Sequence, residues 1–299
     1  AGAAEFELQH AVRRVGRDLT RAFYGLAQLA RIYAMGYFLI LVTVPAAALV
    51  LGSLYLGGPW WGAAAAFAAV PVWILSYVRG AILLKRLIGP LKAGTVPVNS
   101  LTYLRHWFSA YLLENTKNIL MPVYATVYLP ALMRALGAKI GRGVEISTVS
   151  HICPDVRESG DGSFLADACL VGGERIHNGM LEIGAVKIGS RTFIGNSAVV
   201  TGGHTIGNDV LIGVASTPPA GDATVPDGTR WLGAPGFALP TTQQVTCFAD
   251  TQIFKPSFWA RTERALTDAL RILLPGMITV ACTVAFAVYL VAGYRTMPT

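Results

Sequence analysis

The run IGSRTFIGNSAVVTGGHTIGNDVLI, residues 188–212, decides the fold, because a large apolar residue returns every sixth position: Ile188, Ile194, Val200, Ile206, Ile212. Carried back by sixes, the series reads Ile140, Ile146, Ile152, Glu158, Phe164, Leu170, Ile176 and Glu182, so eleven of thirteen members are large and apolar. An α-helix has no use for a period of six, and a flat half-buried strand shows a period of two. Short strands separated by corners do use it: three six-residue faces close one triangular coil, and coils stack as a parallel β-helix. The period residue is expected to fill the prism interior. The position two before each next member, as in Val144, Ala168, Val186, Thr192, Ala198, Val210 and Ser216, is mostly small or β-branched and is expected at the tight corners. Glycine directly after the period residue, at Gly141, Gly189, Gly195, Gly207 and Gly213, sharpens the pattern.

The remainder belongs to a membrane. With 53% hydrophobic and 14% charged residues in 299, the chain is too apolar for an ordinary soluble protein. Residues 32–78 contain no Asp, Glu, Lys or Arg. That length suits two crossings of about 20 residues each. Gly57-Gly58-Pro59 supplies the turn, with Trp60 and Trp61 beside it as an interfacial belt. The predicted organisation is a basic amphipathic lead-in helix over 1–31, a transmembrane hairpin over 32–78 (spans 32–56 and 59–78), juxtamembrane helices over 79–139, the β-helix over 140–219, a return arm and interfacial helix over 220–271, and a third span over 272–294. The fold class is therefore mixed membrane α plus β. Arg13, Arg14, Arg17, Arg21 and Arg31 precede the first span and Arg79, Lys85, Arg86 and Lys92 follow the second. By the positive-inside rule, both ends of the hairpin and the β-helix face the cytoplasm. The odd number of spans and the lack of a starting Met read as a piece of a longer polypeptide.

A net charge of +7 raises nucleic acid as a partner, but the basic residues cluster beside apolar spans, which favours anionic lipid headgroups. Cys153, Cys169, Cys247 and Cys282 form no CxxC pair and read as reduced and structural.

The prism resembles the left-handed β-helix of hexapeptide-repeat acyltransferases, with Gly233-Ala234-Pro235 in the place of the Gly-x-Pro that often follows their last coil. Ser150-His151-Ile152-Cys153-Pro154-Asp155, Phe164-Leu165-Ala166-Asp167, Ile194-Gly195-Asn196-Ser197-Ala198 and Leu211-Ile212-Gly213-Val214 with Ser216-Thr217-Pro218-Pro219 resemble the membrane-embedded C-terminal region of poly-ε-lysine synthetases and related non-ribosomal peptide synthetases. That resemblance implies a condensation-type domain of the bacterial cytoplasmic membrane. It would transfer a lysyl group from a phosphopantetheine thioester, supplied by a carrier domain of the same polypeptide, to the side-chain amine of free lysine or of the growing polymer. It implies no tightly bound cofactor, and an assembly of three prisms as copies or tandem domains. Two other functions remain open: an acetyl-CoA-dependent acyltransferase, for which Arg230 is the main candidate to meet the 3′-phosphate, and a non-catalytic scaffold or export element for a cationic polymer.

Chemistry is expected where the repeat breaks, over residues 146–187, which hold six acids (Asp155, Glu158, Asp161, Asp167, Glu174, Glu182) against three bases (Arg157, Arg175, Lys187). A local negative excess in a positive chain favours a cationic ligand. Gly160, Gly162, Gly172, Gly173 and Gly179 imply loops leaving the coil there. Amide formation needs a base for the attacking amine, and histidine titrates near neutrality. His151 is the leading base, held by Asp167, with His177 and His204 in competition. Asp155, Asp161, Glu174, Arg175, Asn196 and His204 are the candidate substrate-binding residues. His151, His177 and His204 fall at different phases of the repeat, which argues against a shared metal. His106, among Trp107, Phe108 and Tyr111, reads as packing or an interfacial anchor.

Overall fold

A computed structural model describes residues 2–149, 153–219, 223–240 and 256–296, with side chains described from residue 22 to residue 292. Helix α1 (Gly2–Gly57) runs unbroken through the expected boundary at residue 31, because no helix breaker stands there. Helix α2 (Pro59–Ile88) returns after the Gly58 turn and continues ten residues beyond the expected end of its span. The last helix, α5 (Phe258–Thr296), joins the expected interfacial helix to the third span without a break at residue 271. Over Ala22–Gly57, Pro59–Ile88 and Phe258–Ala292 these are three helices long and apolar enough to cross a membrane.

Small residues let the helices approach. A methyl group at Gly80 would lie 2.7 Å from the Phe38 ring, and one at Gly276 would lie 2.7 Å from Val70. Met35, Val42, Tyr77 and Ala81 fill the α1–α2 contact, and Trp73 Nε1 donates to Thr43 Oγ1 at 3.0 Å. The outward side chains are apolar: Tyr55, Leu56, Trp60 and Trp61 are all exposed. In water that surface is costly, whereas lipid supplies the contacts it lacks.

After α2 come strand β1 (Gly94–Pro97), helix α3 (Leu101–Ile119) capped by Ser100, a 3₁₀ turn (Met121–Val123) and helix α4 (Leu129–Ala135). Helix α5 docks on this segment. Asp268, 4% exposed, accepts from Val127 N at 2.9 Å and from Arg264 at 3.2 Å, and Arg271 Nη2 donates to the Tyr124 carbonyl at 3.2 Å.

The prism is built on three parallel sheets. Strands β3 (Glu145–Ile146), β5 (Phe164–Leu165), β10 (Phe193–Ile194), β13 (Leu211–Ile212) and β15 (Arg230–Leu232) form one face. Strands β2 (Lys139–Ile140), β4 (Arg157–Ser159), β9 (Val186–Ile188), β12 (Thr205–Ile206) and β14 (Thr224–Val225) form the second. Strands β6 (Leu170–Val171) and β11 (Val199–Val200) pair on the third. Ile188 pairs with Ile206 and Ile194 with Ile212, so a regular coil takes 18 residues.

Between Ile140 and Ile212 two steps depart from 18. Ile140 pairs with Ser159, one residue too many, and Ser159 pairs with Ile188, eleven too many. The first surplus enters near the 3₁₀ turn Pro154–Val156. The second is the hairpin of β7 (Arg175–His177) and β8 (Met180–Ile183), which pairs antiparallel with β1. Together the surpluses make twelve residues, two whole sixes, so the apolar period looks unbroken from either end while the middle is out of frame. There the inward residues are Ser159, Leu165 and Val171. The period members Glu158, Phe164 and Leu170 are only half buried, and Ile176 and Glu182 are exposed on the hairpin, against the expectation that period residues face inward. The prism also continues past residue 219: Val225 and Trp231 stack under Ile206 and Ile212, so part of the expected return arm is a last coil.

Lys85, at the end of α2, donates to Asp155 at 2.7 Å, and the two side chains are 3% and 7% exposed. Removing one partner of a buried pair strands the other charge, at a cost of about 3–5 kcal/mol. Lys85→Met is therefore expected to lower thermal stability in detergent by that order, and the double variant Lys85→Met with Asp155→Leu to recover most of it. Both are read from the midpoint of tryptophan-fluorescence unfolding.

Candidate functional site between helix α3 and the prism

Along α3 the polar residues return at helical spacing: His106 and Glu114 are eight residues apart with Ala110 between, and Lys117 follows three after Glu114. Such residues share one face. That face meets the irregular end of the prism and encloses a cavity of about 300 Å³. His106, Glu114 and Lys117 line it from α3, and Val149, Cys153 and Glu174 from the prism. Trp107 and Tyr111, stacked at 5.7 Å and nearly parallel, add an aromatic wall.

The hairpin insertion places Glu174. It stands where the chain leaves the coil, just before β7, and its Oε2 lies 3.9 Å from His106 Nε2. Burial pushes the His106 pKa below its ordinary value, and the nearby Glu174 carboxylate partly opposes that. The imidazole is thus neutral near pH 7, free to accept a proton, with a carboxylate beside it to steady the imidazolium. Glu114 forms an ion pair with Lys117 at 3.0 Å. Burial, followed by the charges of Glu114 and Tyr77, raises the Tyr124 phenol, so it stays a neutral donor. The Cys153 thiol is pushed up to about 12, by burial first and then by Asp155. A thiol so protonated is a poor nucleophile.

The residues expected from the sequence are dispersed. His151 lies outside the described residues, although its described neighbours Val149 and Cys153 both line the cavity. Asp167 is exposed and occupied at a corner: it accepts from Ser147 Oγ, from Thr148 Oγ1 at 2.9 Å and from Thr148 N at 3.3 Å, which lowers its pKa. Asn196 repeats that corner one coil on, accepting from Asp167 N at 3.2 Å. Asp161 accepts from Arg142 N at 2.7 Å in the same manner. Asp155 is held by Lys85. His177 and Arg175 are exposed on the hairpin, and His204 is half-buried with Nδ1 against the Thr201 carbonyl at 3.0 Å. Among the described candidates only Glu174 lines the cavity, and it does so with His106, read from the sequence as packing.

No family model matches the chain. It is 37% identical over 213 residues to a delta-poly-L-ornithine synthetase of Acinetobacter baumannii, a match covering 71% of this chain and 16% of that protein. The chain thus spans about a sixth of that relative's length. Among solved structures, it is similar to a maltose O-acetyltransferase from Clostridium difficile (18% identity, 54% of this chain and 97% of that one, TM-score 0.35). It is also similar to a galactoside acetyltransferase in complex with coenzyme A (16% identity, 42% and 78%, TM-score 0.32). These likenesses assign no residue a role.

A depressed histidine pKa has a definite sign in the pH dependence of stability. Below about pH 6.5 the unfolded chain binds a proton that folded His106 resists, so stability falls as pH drops through that value toward the folded pKa and is flat above it. The unfolding midpoint is expected to decline between pH 7 and 5.5, and His106→Gln to flatten that part of the curve.

Proposed function

We propose that this chain is an enzyme, a membrane-embedded acyl-transfer unit that joins an activated aminoacyl group to the side-chain amine of a basic amino acid, with its active site in the cavity between α3 and the prism. The observation that carries the reading is the neutral His106 facing Glu174 in a cavity with a second carboxylate, Glu114, and a stacked aromatic pair. Carboxylates and aromatic faces attract an ammonium group, and a neutral imidazole can remove its proton. The name of the similar synthetase supports a polymer of a basic amino acid joined through its side-chain amine, and points to ornithine beside lysine as acceptor.

In this reading the acceptor enters as an ammonium, with a pKa of about 10.4 for lysine, and cannot attack until it is deprotonated. His106 takes that proton and Glu174 stabilises the resulting imidazolium. The amine nitrogen then attacks the thioester carbonyl carbon, the C–N bond forms and the C–S bond breaks; the departing carrier thiolate takes the proton held by the His106 imidazolium, and the nitrogen releases its second proton to solvent. The carrier thioester, the left-handed winding of the coil and a cytoplasmic site for the prism belong to the same proposal. The spread of basic residues around the spans supports that orientation.

The test is turnover with aminoacyl-loaded carrier and ornithine or lysine, and with acetyl-CoA as a competing donor, read by mass spectrometry of amide products. His106→Gln is expected to lower turnover about 10²- to 10⁴-fold, the usual worth of a positioned base. Full activity in His106→Gln with loss in His151→Ala moves the base to His151, and no amide product from any donor removes the enzymatic reading. For orientation, a cysteine replacing Val214, which is 61% exposed on the prism, is expected to react with an impermeant maleimide only after cells are permeabilised.

A further inference from the structure

The prism interior holds a charge. Arg157 occupies an inward position on β4, 3% exposed, directly over Val186 of the next coil. Among the described residues its Nε, Nη1 and Nη2 have no hydrogen-bond partner. The hydroxyls of Ser159 and Ser163, buried in the same coil, have none either. Their stacked neighbours are apolar or satisfied: Ile140 and Ile188 lie above and below Ser159, and the Thr192 hydroxyl of the following coil donates to the Gly207 carbonyl at 2.7 Å. Ser159 thus puts a hydroxyl where the adjoining coils carry the larger Ile140 and Ile188, in the same layer as the guanidinium.

We propose that this layer binds a small monovalent anion of chloride size, held by the Arg157 guanidinium and the hydroxyls of Ser159 and Ser163. All the unpartnered groups are able to donate, and a guanidinium has no acceptor to offer. An isolated cation in an apolar interior is costly and calls for a counter-ion. Arg157, lowered by burial to about 10, still carries its charge at neutral pH, and the Cys169 thiol, pushed up to about 11 by burial, remains uncharged and cannot serve as that counter-ion. The anion belongs to the same coil as the Pro154–Val156 turn and is independent of the acyl-transfer reading.

The purified chain in detergent is tested with sodium chloride against sodium gluconate at equal ionic strength, and its crystals are soaked in sodium bromide. The unfolding midpoint is expected to be roughly 2–4 °C higher in chloride, as for ligand present at several times its dissociation constant. The difference should vanish in Arg157→Met, and bromide should give an anomalous peak within hydrogen-bonding reach of the guanidinium. If Arg157→Met does not fold, the bromide map of the unaltered chain decides. Ordered water alone beside the guanidinium, an equal midpoint in both salts, or a chloride effect that survives in Arg157→Met overturns the proposal.

Discussion

Each coil of the prism must hydrogen-bond to the coil before it along its faces, and that ladder governs where the chain is allowed to be irregular. Backbone amides buried between coils have no water to turn to, so extra residues have to leave at a corner. Close contact enforces the same rule at the glycines: a methyl group on Gly195 would come 2.7 Å from the Gly213 carbonyl carbon of the next coil. The chain obeys it twice in one turn. The residue added near Pro154–Val156 and the eleven added around β7 and β8 both emerge toward α3, so the departures from regularity become the wall of a cavity. The proposed chemistry sits there because the ladder permits variation there.

That ladder also accounts for the fate of two acidic candidates, Asp161 and Asp167. Asp161, Asp167, Asn208 and Asp227 stand at corners, where a short side chain accepts the free N–H of a neighbouring coil: Arg142 N at 2.7 Å and Thr148 N at 3.3 Å for the first two, Ser190 N and Asn208 N at 2.8 Å for the others. In the sequence Asp161 and Asp167 belong to a patch of negative charge suited to a cation. In three dimensions they are corner acceptors, already engaged, and the carboxylate left to meet a ligand at the cavity is Glu174, since Glu114 is paired with Lys117.

The regular half of the prism was legible because local pattern and tertiary position agree from Ile188 to Ile212. The middle was misread for a definite reason: surpluses of one and eleven restore the phase of six, so nothing in the apolar series marks the slip. One signal was present. Asn178 and Gly179, both at positive φ, make the two-residue turn that Asn-Gly favours in a hairpin, and they mark 175–183 as paired strands rather than loop. His106 had no comparable signal beyond its spacing to Glu114 and Lys117. Its partner Glu174 is 68 residues away, brought near by the hairpin that the period concealed.

The cavity is tied to the membrane helices at two points. Lys85 holds Asp155, two residues from Cys153 on the cavity wall. On the opposite side Arg271 of α5 reaches the carbonyl of Tyr124, which lines the same cavity, and Tyr128 donates to the Ala265 carbonyl at 2.9 Å. The first link is buried, Lys85 and Asp155 being 3% and 7% exposed, whereas the second is made by the exposed side chains of Arg271 and Tyr128. Helices α2 and α5 therefore fix the two walls against each other. A shift of either in the bilayer would change the approach of α3 to the prism, and with it the 3.9 Å between His106 and Glu174 on which the proposed stabilisation of the imidazolium rests.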